Sequence, residues 1–174
     1  VNCDTEALVS YISHDKKAVF PMVKAAEKYS DLILIASPWS PPVYMKTNDT
    51  REYGGHLKKE YYSLWAKYFA KYIAACKAEG IDIWGVTVQN EPRHTQMWES
   101  CLYSPEEEIE FLGYLGKELS GMDVKILCYD HCRERVYERA KKIYESENGK
   151  YCDGIAHHWY SGDHFDALKL ISEK

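Results

Sequence analysis

"IDIWGVTVQNEP", residues Ile81–Pro92, opens as a buried strand and stops on an acid. The apolar alternating run from Ile83 to Val88 is short, rich in β-branched residues and free of proline, which predicts a strand over Ile81–Gln89. Pro92 then bars further ladder pairing and fixes the turn. What the strand delivers at that stop is Asn90 and Glu91, with Trp98 and Glu99 close behind. A glutamate so placed is either an exposed loop residue or an acid set at a strand's C-terminal end.

Three further segments share the character of that strand: Asp31–Ser37, Asp123–Tyr129 and Gly154–Tyr160. They are apolar enough to be covered on both faces. Helical patterns lie between them. From Leu57 to Glu79 the residues Leu57, Tyr61, Leu64, Tyr68, Tyr72 and Cys76 recur at helical spacing, and Gly80 suits a left-handed cap. A second helix opens at "SPEEE", where Ser104 caps, Pro105 takes the first turn and Glu107 completes a capping box. The acids there favour the positive end of the helix dipole and read as structural. Further helices are expected over Glu134–Glu147, after Asp163, and over Val19–Tyr29, the last beginning at Pro21.

Strands alternating with helices imply a parallel sheet. Two architectures compete, an open doubly wound sheet and part of a (β/α)8 barrel. No glycine-rich phosphate loop follows any strand, which weakens a nucleotide-binding sheet. Polar and aromatic residues instead crowd the strand ends: Ser37-Pro38-Trp39, Asn90-Glu91, Asp130-His131 and His158-Trp159-Tyr160. Barrel enzymes build their sites on that face, so the pattern favours an α/β (TIM) barrel. Four strands, however, do not close a fold that normally takes about 250 residues.

Composition narrows the partners. With 174 residues, 45% of them hydrophobic and 28% charged, the chain can bury a substantial core. Its net charge is −5 and its basic residues alternate with acids and form no basic stripe, which argues against a nucleic-acid partner. No apolar run reaches the roughly 20 residues of a membrane span. Nor does the N-terminus carry the charged and apolar blocks of a signal peptide. Six cysteines could pair, but the chain is too large and helical for a disulfide scaffold; Cys76 and Cys128 fall at core positions. Cys101, Cys128, His131 and Cys132 lack the C-x-x-C knuckle of a zinc site. The cysteines lean toward a cytoplasmic setting, with secretion open if a signal peptide lies outside this chain. Of the 14% aromatic residues, most suit a core and a handful suit a sugar site, where flat rings stack on the apolar faces of pyranoses.

In the barrel reading Glu91 enters a cleft walled by Trp39, Trp98 and Trp159. A carboxyl group with an apolar side holds its proton toward neutral pH and can protonate a leaving oxygen, the general-acid task of glycoside hydrolysis. Asn90 stands ready to bond a sugar hydroxyl.

The segments "ASPWSPPVYMKTN", "VTVQNEP", "WESC" and "HHWY", in that order, resemble glycoside hydrolase family 30. That group of retaining β-glycosidases includes acid β-glucosidase (glucosylceramidase). The similarity runs from about His14 to Leu168. It implies a (β/α)8 barrel joined to a β-sandwich side domain, with strands three to six present here and the side domain absent. It further implies that Glu91 is the acid/base, that Asn90 binds the sugar 2-hydroxyl and that Trp39 forms part of the sugar-facing wall. His158, Trp159 and Tyr160 would follow strand six, with Tyr160 beside the nucleophile. Asp130 and His131 would support the site, and neither metal nor organic cofactor is required. The implied partner is a β-linked glycoside or oligosaccharide.

The departure from the family lies in the nucleophile, a second glutamate after strand seven, whereas this chain stops about one helix beyond strand six. Retaining chemistry needs two carboxyl groups about 5–5.5 Å apart, and Glu99, in the loop after Glu91, is not placed to be the second. The chain therefore reads as partial barrel, residues 1–174, whose outermost strands expose edges through which it is expected to self-associate. Two other readings stay open. One is a non-catalytic carbohydrate-binding module or inactive fragment. The other is a metal-dependent hydrolase using Asp130, His131, His157 and His158, although adjacent His157 and His158 should point to opposite faces of a strand.

Overall fold

The computed structural model describes residues 12–173. Its centre is a four-stranded, wholly parallel sheet in sequence order: β1 (Ile35–Ala36), β2 (Gly85–Thr87), β3 (Lys125–Cys132) and β4 (Gly154–His158). The pairing is set by Ile35 opposite Gly85, Val86 opposite Ile126 and Cys128 opposite Ile155. The ladders are shorter than the apolar runs that predict them, but the backbone of the β1 run continues to bond: Leu34 O accepts from the amides of Trp84 and Gly85. β3 differs the other way, reaching Cys132 with an irregularity between Tyr129 and His131. β1 and β4 are the sheet's edges.

Helices α1 (Val19–Ala26), α2 (Tyr62–Ala78), α3 (Pro105–Glu118), α4 (Val136–Tyr144) and α5 (Phe165–Ser172) alternate with the strands. α1 starts two residues before Pro21. First-turn amides have no intrahelical acceptor, so a proline there sacrifices nothing. α3 carries its capping box as the sequence predicts: Glu107 N donates to Ser104 Oγ, and Ser104 N donates to the Glu107 carboxylate. α2 is preceded by a 3-10 turn over Lys59–Tyr61, which takes up the first residues of its periodic pattern.

The core lies between the sheet and helices α2 and α3, and it consumes much of the aromatic surplus. Tyr62, Trp65, Phe69, Tyr103 and Phe111 meet edge-on or tilted, with ring centroids 5.2–6.0 Å apart. Phe111, Leu112 and Leu115 of α3 are fully buried, each worth about 1.5–3 kcal/mol of apolar transfer. Gly116 lets α3 close on the Tyr151 ring, where any Cβ would collide. Cys76 and Cys128 are buried free thiols, as their core positions suggest. No described helix is long and apolar enough to cross a membrane.

Candidate active site

β2 sorts its side chains by alternation. Val86 and Val88 join the core, while Thr87 and Gln89, though also fully buried, bond to polar partners from the neighbouring strand ends. Glu91 continues that second row. Its backbone lies in the left-handed region at φ 45°, and its amide donates to Asp130 O at 3.0 Å. Asp130 (φ 42°) and Tyr129 (φ 77°) are left-handed too. Non-glycine residues in this region cost of order 1–3 kcal/mol each and persist where surrounding structure holds them. Here the restraint is visible: Tyr129 N donates to Glu108 Oε1 at 2.7 Å, and Glu108 is itself held at 2.5 Å by Arg139 beneath the sheet.

This strained junction brings three ionisable groups into line. Asp130, almost buried, accepts from Thr87 Oγ1 at 2.8 Å and shares a 3.0 Å hydrogen bond with His158 Nε2. The other ring nitrogen of His158, Nδ1, stands 3.3 Å from Glu91 Oε1, an electrostatic contact outside hydrogen-bond alignment. The Asp130 hydrogen bond thus fixes the orientation of the His158 ring beside Glu91. The second oxygen, Oε2, faces Gln96 Nε2 at 3.5 Å and His94 Nδ1 at 3.8 Å. The polar surroundings of Glu91 are therefore imidazole and amide groups, which the sequence does not announce.

The loop ends are locked together. Asn90 N donates to Pro38 O at 2.9 Å, and Gln89 Nε2 bridges the carbonyls of Trp39 and Asn90 at 2.8 and 2.9 Å. The backbone of Trp39 is thereby tied to the end of β2, and the residue is half exposed. Tyr160 meets His158 edge-on at 5.6 Å. Trp159 turns elsewhere: the Arg133 guanidinium lies 4.7 Å over its ring and its indole N–H donates to Asp163. His157, on the opposite side of β4 from His158, accepts from Arg133 Nε at 3.1 Å. Glu99 forms a 3.5 Å ion pair with Arg51.

His131 is wholly buried, with neither ring nitrogen bonded, and its ring packs 4.3 Å from that of His94. Burial first, then the neighbouring His94 and Arg93, hold its pKa down at about 3. An unfolded histidine protonates near 6.5. The contribution of His131 to stability is therefore complete above about pH 6.5 and is lost as pH falls toward 3, roughly 2 kcal/mol of it by pH 5. Urea unfolding at pH 7 and pH 5 is expected to show that loss, and His131→Leu to reduce the slope by about one proton.

The model of the glycosyl hydrolase family 30 TIM-barrel domain matches residues 6–172. The chain belongs to that family. Among the proteins similar to this family 30 chain is the mouse lysosomal acid glucosylceramidase, 36% identical over 160 residues, covering 84% of this chain and 31% of that protein. The crystal structure of SrfJ from Salmonella typhimurium superimposes with a TM-score of 0.89 at 36% identity, covering 98% of this chain and 40% of that one. The endo-beta1,6-glucanase BT3312 gives 0.84 at 32% identity, over 92% and 39%. This chain spans about a third of the length of the curated relatives it matches. Its open parallel sheet is accordingly a segment of the family 30 barrel.

Several residues at the strand ends around Glu91 escape a reading by motif. Thr87 and Gln89 carry a usable signal, since polar residues alternate with Val86 and Val88 inside a buried strand. Arg93, which pairs with Glu134 at 2.7 Å, carries none. Burial opposes the charge on Glu134, yet the Ser161 hydroxyl and Arg93 hold its pKa at about 2. Among the described residues no group of three or more His, Cys, Asp or Glu is arranged to hold a metal.

Proposed function

We propose that the whole protein is a retaining β-glycosidase and that Glu91 is its general acid/base. The observation that carries this reading is the Asp130–His158–Glu91 line, held at the C-terminal end of β2 by a strained junction. Glu91 first gives its proton to the leaving oxygen. In the second half it takes a proton from the water that attacks the glycosyl-enzyme. The covalent bond is made by a second carboxylate from another part of the protein. Asn90 bonds the sugar 2-hydroxyl and Trp39 lies against its ring. Tyr160 borders the nucleophile. Trp159, clamped on Arg133, shapes the rim, and Asp130 orients His158. His131 supports the loop of Glu91 through His94.

The named activities of the relatives, glucosylceramide hydrolysis and β-1,6-glucan cleavage, both break a glycosidic bond of a glucose unit, which supports a β-glucoside as the substrate class for this protein. Proton NMR of the first-formed product tests the reading. Double displacement predicts the β-anomer before mutarotation; an initial α-anomer means single displacement and sinks it.

A further inference from the structure

The two loops flanking Glu91 on its Oε2 side are knitted into a small platform. Tyr53 N donates to Gln96 O at 2.8 Å, Ser100 N to Arg51 O at 3.0 Å and Leu102 N to Gly55 O at 2.7 Å. Beneath them the fully buried Lys46 ammonium is shared among Ser40 Oγ, Arg51 O and Ser100 O. At the platform's tip Tyr53, Gly54 and Gly55 are consecutively left-handed, and Asn48 Nδ2 gathers the carbonyls of Glu52, Tyr53 and Gly54. Gly54 and Gly55 are pressed so close to Thr95 and Asn48 that neither tolerates a Cβ. Yet this rigid, strained turn holds out a tyrosine that is 62% exposed, beside Trp98 at 46%. Folding alone gives no reason to present bare aromatic rings from a left-handed backbone.

The platform is tied to the acid through one residue. Gln96 holds Tyr53 by its carbonyl and touches Glu91 Oε2 by its side-chain amide. His158 lies against Oε1 and Gln96 against Oε2, so a leaving group protonated from the Oε2 side departs over Gln96. We infer that this platform is the leaving-group subsite and that Tyr53 and Trp98 receive the second pyranose of a β-linked glucose disaccharide unit. The inference rests on the glycosidase reading of Glu91. A sugar fits better than a lipid chain, because the rings are set among polar pairs, Arg51–Glu99 and Thr50–Glu52, which suit a hydroxyl-rimmed ring with an apolar face. A hydrocarbon tail would call for a continuous apolar surface.

The test compares the whole protein with its Tyr53→Ala/Trp98→Ala double variant on three substrates. These are a β-linked glucose disaccharide, octyl β-glucoside, and β-glucosyl fluoride, whose one-atom leaving group cannot reach the platform. The double variant is expected to lose kcat/KM on the disaccharide by about tenfold more than on the fluoride, and the Tyr53→Phe/Trp98→Phe variant to retain most of it. An equal loss on fluoride and disaccharide, or a loss confined to the octyl glucoside, overturns the subsite. If the unaltered protein cleaves none of the three, the glycosidase reading fails. Calorimetry of disaccharide binding then decides the platform separately: weakening by about tenfold in the double alanine variant upholds it, and equal affinity overturns it.

Discussion

Glu91→Ala is expected to lower kcat/KM for a β-linked disaccharide of glucose by roughly 10³-fold, within the range that a positioned general acid contributes. The loss should depend on the leaving group. A nitrophenolate departs without a proton, so formation of the glycosyl-enzyme is nearly spared, and the deficit moves to the second step, where water needs a base. Steady-state assays on nitrophenyl β-glucoside should therefore show a burst followed by slow turnover, with KM falling as the intermediate accumulates. Equal losses on both substrates, without a burst, would assign Glu91 to folding or binding instead. His158 belongs to the same unit: it contacts Glu91 Oε1 and is oriented by Asp130, so its effect will not add independently to that of Glu91.

Arg139→Ala is expected to destabilise the fold by about 3–5 kcal/mol, because it leaves the Glu108 carboxylate buried without its cation. Both side chains are almost wholly enclosed, and burial already pushes the Glu108 pKa upward against the pull of Arg139. The reverse pairing is informative. Glu108→Leu with Arg139→Met removes both charges and should cost much less in denaturant unfolding than Arg139→Ala alone. Activity should not follow stability in that double variant. Glu108 Oε1 also accepts from Tyr129 N, the first residue of the left-handed pair that aims Asp130 at His158. A stable protein with a slackened junction, and hence a lower kcat, is the expected outcome.

These two predictions draw on different parts of what the sequence discloses. The strands, the helix cap at Ser104 and the delivery of Glu91 at the end of β2 follow from local pattern: apolar runs, a capping box and a proline stop. The alternation of His157 and His158 across β4 follows from strand geometry and is what the contacts with Arg133 and Asp130 show. The Glu108–Arg139 anchor was not legible. "SPEEE" reads correctly as a helix start, but nothing local distinguishes Glu108, which points inward, from Glu106 and Glu107, which serve the surface and the cap. The same limit applies to Lys46. Its acceptors come from residues 40, 51 and 100, and only the long-range pairing of two loops turns an ordinary lysine into a buried pin. The left-handed residues Glu91, Tyr129 and Asp130 are equally silent in sequence, because their conformation is imposed by neighbours and contradicts local preference.

The central claim, that Glu91 is the acid/base of a double displacement, is tested most directly by azide rescue of Glu91→Ala acting on nitrophenyl β-glucoside. Azide needs no base to attack the glycosyl-enzyme and fits the space left by the carboxylate. The account predicts that azide restores turnover and that the product is β-glucosyl azide. An α-azide would show that Glu91 is the nucleophile, and a variant that turns over at the native rate without azide would show that it takes no part in the chemistry.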